Sequence, residues 1–140
     1  MIDPGVHAEL GSLGVAVTPV GAATSVPYEG TTKIKLPIKE ITDTAVEHRG
    51  GFRLEAGDAD LVVRKVTIPE AGLVTAKVKG SAVGDLGRVS LLFQAASGSP
   101  LGDTSLSFTF TFASCVNQTF GSSFLELGTF AFSTTHPDGT

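Results

Sequence analysis

The sequence predicts an all-β fold: a single-domain antiparallel β-sandwich or open barrel of about nine strands with one or two short helices. Three observations lead there. Short runs rich in Val, Ile, Thr and Phe alternate polar and apolar residues, the period of half-buried strands. Turn-like clusters containing Gly and Pro separate those runs at the spacing of sandwiches and barrels. The 140 residues show no repeat and no linker, so residues 1–140 read as one domain, with 1–20 as an extended or exchangeable N-terminal arm.

The elements follow in order. Asp3 and Pro4 suit the cap and first position of a short helix over 4–13, with Val6, Leu10 and Leu13 at helical spacing and Gly14 as a left-handed stop. Val15, Val17 and Pro19 begin an extended piece, and residues 21–32 read as a loop. Lys33 to Ile38 alternates like a strand, with Pro37 marking an edge or bulge. Thr44–His48 is a weak strand ending at Gly50-Gly51, where glycine supplies a positive φ. Phe52–Glu55, Leu61–Ile68, Leu73–Val78 and Val89–Phe93 are further strands. From Ser105 to Phe112 the alternation is strictest, which predicts one strand with Leu106, Phe108, Phe110 and Phe112 inward. Ser105, Ser107, Thr109 and Thr111 then form an outward hydroxyl row. Residues 113–120 read as one or two helical turns stopped by Gly121, and 128–134 as a last strand. The expected main core is Leu106, Phe108, Phe110, Phe112, Phe120, Phe130 and Phe132.

Composition narrows the function classes. One Cys excludes an internal disulfide framework and a multi-Cys zinc site. No apolar run reaches the roughly 20 residues of a membrane-spanning helix. The net charge of −4 gives no general reason to expect nucleic acid. The charge is uneven, however: all ten Lys and Arg lie between Lys33 and Arg88, while residues 89–140 hold eight of the nine Phe. Strand edges there lack the charges that normally block pairing, which predicts either a deeply buried C-terminal half or a surface that pairs with another copy of the chain, a homo-oligomer. Val15, Val17, Ser107, Thr109 and Thr111 are the candidate interface residues. Lys33, Lys35 and Lys39, with Arg64, Lys65, Lys77 and Lys79, can align on neighbouring strands as a basic face, by default a solvated one.

Several segments together resemble a known family. They are Asp3-Pro4-Gly5, Leu13-Gly14-Val15, Val17-Thr18-Pro19, Leu36-Pro37-Ile38, Glu47-His48-Arg49-Gly50-Gly51-Phe52, Leu73–Val78, Arg88–Leu91 and Asn117–Gly121. In that order the chain resembles a family of secreted, poorly characterised actinobacterial β-rich proteins. Those proteins often occur with surface haem-transport-associated domains or in cell-wall-linked chains. Arg49 departs from the pattern, which usually has Ser there. The resemblance implies a secreted or cell-surface location and brings no catalytic residues. Met1-Ile2-Asp3 lacks the basic and apolar regions of a secretion signal.

Chemistry-bearing residues are sparse. His7, His48 and His136 show no metal-ligand spacing. His48, with Glu47 and Arg49, is the candidate ligand-binding group, the alternative being a turn-adjacent histidine bonded to backbone. Cys115 reads as an inert buried thiol. No nucleophile–base motif, metal cluster or cofactor motif occurs, so no catalytic residue, metal or cofactor is expected. The leading expectation is a non-enzymatic secreted or cell-surface structural or interaction module. A binder of haem, lipid or cell-wall polymer is the alternative, and a hydrolase stands last.

Overall fold

A computed structural model describes residues 1–28, 31–70, 72–96, 104–122 and 128–133. Helix α1 (Pro4–Ser12) leads into β1 (Ala16–Val20), β2 (Thr24–Tyr28), β3 (Thr31–Lys35), β4 (Ile38–Ile41), β5 (Ala45–His48) and β6 (Gly51–Ala56). Then come β7 (Ala59–Pro69), β8 (Leu73–Gly80), β9 (Gly84–Ala96), β10 (Thr104–Phe108), helix α2 (Phe110–Phe120) and β11 (Thr129–Ser133). Nine strands form one antiparallel sheet in the order β1-β6-β7-β8-β9-β10-β11, with β5 paired to β7 and β4 to β5. The sheet curls into a half-barrel, the open-barrel form of the expected all-β fold. Strands β2 and β3 make a separate hairpin.

Local chemistry explains α1. The Asp3 carboxylate accepts from the N–H groups of Gly5 and Val6, and Pro4 occupies the first turn. Gly14, at φ 74°, donates to Gly11 O while Val15 donates to Leu10 O, so the last turn is closed on itself. Val6 and Leu10 then face the core.

The concave face of the sheet holds the core. Leu54, Leu61, Val63, Val74, Val78 and Leu91 alternate inward from β6 to β9 and are almost fully buried. Phe108, Phe112 and Phe130 pack together with centroids 5.0–5.4 Å apart, covered by α2. Each buried side chain of this size contributes roughly 1.5–3 kcal/mol, so the core extends well beyond the expected C-terminal Phe cluster.

Four expectations are corrected. The strand from Ser105 ends at Phe108, because the Thr109 hydroxyl accepts from the Phe112 N–H at 3.1 Å and starts α2. The same hydroxyl lies 3.0 Å from both Ser90 O and Leu91 O, which ties the helix start to β9. Helical spacing then buries Phe112, Ala113, Cys115 and Val116 but leaves Phe110 72% exposed. Phe120 and Phe132 are only half-buried, Phe120 packed against the core. The expected loop over 21–32 contains β2 and the start of β3: Pro27 is tolerated because β2 pairs on one side only. Lys33 to Ile38 is two strands, broken at Leu36-Pro37. Thr134, the expected end of the last strand, lies outside the described residues.

The β11 edge of the sheet is covered from within. Residues 1–3 lie along β11, with Asp3 N–H bonded to Phe130 O and Phe132 N–H to Met1 O, and Ile2 N–H reaches Thr32 O of the hairpin. Residues 1–20 thus supply α1 and the edge strand β1 of the chain's own sheet.

Candidate functional site

Strand β7 changes partner along its length. Its first half pairs with β6 (Gly51↔Arg64 to Ala56↔Ala59) and its second half with β5 (Glu47↔Thr67 to Ala45↔Pro69). Between them Lys65 and Val66 oppose a single residue of β8, a β-bulge between the pairs Arg64↔Lys77 and Thr67↔Thr75. Val66 stays buried while Arg64 and Lys65 are both exposed, so the bulge sets two successive cations on the convex face.

Glycines make room for the junction. A Cβ at Gly51 would lie 1.8 Å from Val63 O, and Gly50 has φ 72° with its Cβ position 2.6 Å from Ala23 N. Lys65 has φ 53°, a conformation that glycine, not lysine, adopts readily. Three bonds fix it there: Lys65 N–H to Gly50 O, Arg88 Nη2 to Lys65 O at 2.9 Å, and His48 Nδ1 to Val66 O at 3.1 Å. Because a carbonyl only accepts, His48 carries its proton on Nδ1.

Antiparallel register then aligns the charges. The pairs Val20↔Gly51↔Arg64↔Lys77↔Arg88 run straight across β1, β6, β7, β8 and β9. Arg64, Lys77 and Arg88 are consecutive in that row and all exposed, spanning about 10 Å at the usual strand spacing. The next row places Arg53 and Lys79 either side of Val62. Arg88 also donates from Nη1 to Thr75 Oγ1 at 2.9 Å and Thr67 Oγ1 at 3.3 Å, so its guanidinium is held flat on the sheet. The field of Lys77 foremost, with Lys39 and Arg64 adding to it, pushes the Lys65 ammonium below its ordinary pKa. Among the described residues the one salt bridge is Arg53 Nε to Asp60 Oδ2 at 3.8 Å; none of Arg64, Lys65, Lys77, Lys79 and Arg88 has an ion-pair partner there. Like charges directly opposite one another on a sheet are destabilising. The arrangement is receptive to anions.

The other sequence candidates distribute differently. His48 is 8% exposed, and burial holds its pKa below the ordinary value against the opposing pull of the Val66 carbonyl. Glu47 precedes it on β5 and faces the other way by strand alternation, opposite Thr67 and Glu40. Arg49 is exposed and its N–H bonds Pro37 O. The three do not converge on one ligand. Val15 is buried at 6%, and Val17 is half-buried opposite Leu54. Ser107 lies in β10 opposite Phe93, Thr109 is the buried cap of α2 and Thr111 sits exposed on α2, so the three hydroxyls share no sheet face. Cys115 is buried, which raises its thiol pKa. Of the expected basic face, Arg64, Lys65, Lys77 and Lys79 share the convex surface and Lys39 adds to its field, whereas Lys33 and Lys35 lie on the separate hairpin. Arg53 and Arg88 were missed. Their alternation with inward Leu54 and Phe52 on one strand, and with Val89 on the other, was the available signal.

Fold and site together define an all-β half-barrel with a cationic convex face. The chain matches no protein-family model, no curated protein and no solved structure.

Proposed function

We propose that this chain is a non-enzymatic interaction module of a secreted or cell-surface protein, which engages an anionic polymer through the convex face of its half-barrel. The observation that carries the reading is the in-register row Arg64–Lys77–Arg88 with Lys65 beside it, four cations with no described carboxylate in ion-pair range. A polyanion laid across the strands relieves their mutual repulsion and releases its own counterions. The strained Lys65 supports the same reading, since backbone strain of this kind concentrates at functional sites. The location follows from the resemblance noted above. Against a hydrolase stands His48, turned into the sheet and bonded to a carbonyl.

Self-association through open edges loses two premises. Strand β10 is internal, between β9 and β11, and the outer edge of β11 is covered by residues 1–3. The test is retention on immobilised polyphosphate at low salt. The chain is expected to bind, and a variant with Arg64, Lys77 and Arg88 all changed to Gln to flow through with an unchanged far-UV spectrum. Equal retention of both proteins refutes the proposal, and retention on single-stranded DNA but not on polyphosphate replaces it with a nucleic-acid reading.

A further inference from the structure

The β2–β3 hairpin continues the main sheet through the first residues of the chain. Ile2 stands opposite Ala131, but its N–H goes to Thr32 O and its carbonyl takes the Thr31 hydroxyl, while Met1 and Asp3 bond to β11. Alternate residues of a strand serve opposite neighbours, so residues 1–3 lie between β11 and β3. The array therefore runs from β1 through β11 and residues 1–3 to β3 and β2. Its two outer members, β1 and β2, are consecutive in the chain and joined by residues 21–23, where Ala23 N–H meets Val20 O. Among the described residues no other backbone bond links them.

The same alternation shows which groups line this seam. Lys65 N–H reaches Gly50 O, so Gly51 and Arg64 are opposite without bonding each other. Gly51 then bonds Val20, and β1 turns Val17 and Pro19 outward. On the hairpin, Thr32 gives its carbonyl to Ile2, so Pro27 opposite it faces away from β3, as does Ser25. Continuing β1 across residues 21–23 sets Pro19 against Ser25 and Val17 against Pro27. Each pair needs two N–H donors, and proline removes one from each. Half of the ladder that would close the seam cannot form. Burial is one-sided too: Val26 and Pro27 on β2 are exposed, whereas β3 buries Thr31 and packs Ile34 against the core.

We propose that this seam is a lateral gate, in which β2 and β3 swing as one flap about residues 21–23 and Leu36-Pro37, and residues 1–3 are the latch that holds it shut. The latch is Ile2 N–H to Thr32 O at 3.1 Å and the Thr31 hydroxyl to Ile2 O at 2.8 Å, with His7 Nε2 3.1 Å from Thr32 Oγ1. Opening uncovers the apolar sides of Val17, Ile34 and Leu36, which pack against the core. The gate is independent of the polyanion reading, whose cations lie on β7, β8 and β9.

The test is native-state amide exchange of the whole chain, read by nuclear magnetic resonance. Swinging the flap frees the Ile2 amide and leaves Asp3 bonded to Phe130 O, so Ile2 is expected to be roughly 10-fold or more less protected than Asp3 and than Val63 in β7. Changing Pro19 and Pro27 together to Thr restores two donors to the seam. It is expected to protect the new amides at positions 19 and 27 and to slow Ile2, on the opposite margin of the hairpin, roughly 10-fold. Thr31→Val keeps the flap and removes one latch bond; it should speed Ile2 roughly 10-fold and Asp3 no more than about 2-fold. Ile2 and Asp3 exchanging together in every variant means simple fraying of the terminus and overturns the gate. Ile2 as protected as Val63 overturns it as well, as does a double variant that dimerises without protecting Ile2.

Discussion

Replacing Phe110 and Phe112 separately by Ala distinguishes a continuous strand from the strand-to-helix switch at Thr109. Strict alternation from Ser105 buries both rings equally, whereas α2 leaves Phe110 72% exposed and Phe112 at 0%. Phe112 lies 5.4 Å from Phe108 and 5.0 Å from Phe130, centroid to centroid, the second contact edge-on. Deleting a buried Phe costs about 3–5 kcal/mol, and two aromatic contacts place Phe112→Ala in the upper part of that range. Phe110→Ala removes an exposed ring from the first turn of a helix and is expected to cost no more than about 0.5 kcal/mol. Urea unfolding followed by far-UV circular dichroism reads both. At about 3–4 °C per kcal/mol for a chain of this size, the melting temperatures of the two variants should differ by about 12 °C or more. Equal losses refute the switch.

Three further outcomes are expected. Lys65→Gly relieves a positive φ and a like-charge contact, so it should raise the melting temperature while weakening polyphosphate binding; a fall in both refutes the strain at the bulge. His48 has a folded pKa below its unfolded value of about 6.5, so its contribution is fully present above that value and lost as pH falls through the folded one. Urea midpoints at pH 7.5 and pH 5 should therefore fall further for the native chain than for His48→Gln, and parallel losses refute the assignment. Thr109→Ala removes the cap of α2 and its tie to β9, and should cost about 1–2 kcal/mol in the same unfolding assay.

What was legible in the sequence was local. The cap at Asp3, the stop at Gly14 and the alternating runs that became β5 to β8 depend on residues within a few positions of one another. Thr109 shows where local reading fails. The alternation around it is perfect, yet its hydroxyl finds the Phe112 N–H and the Ser90 and Leu91 carbonyls, and two of these partners are distant in sequence. The site was half legible for the same reason. Alternation alone puts Arg64, Lys77 and Lys79 on the polar side of their strands. Their alignment with Arg88, and the placing of Lys65 next to Lys77, depend on the register across three strands and on the bulge where β7 exchanges β6 for β5. His48 was noticed for its setting beside Gly50-Gly51. Its work is structural, holding the carbonyl of Val66 within that bulge.

The most direct test of the cationic face is the salt dependence of polyphosphate affinity, measured on the native chain and on the variant with Arg64, Lys77 and Arg88 changed to Gln. If Arg64, Lys65, Lys77 and Arg88 each neutralise one charge of a single-stranded polyanion, log K should fall against log salt with a slope of about −3. The triple variant should retain a slope of about −1 and the native fold. A native slope near zero, or the same slope in both proteins, contradicts the account.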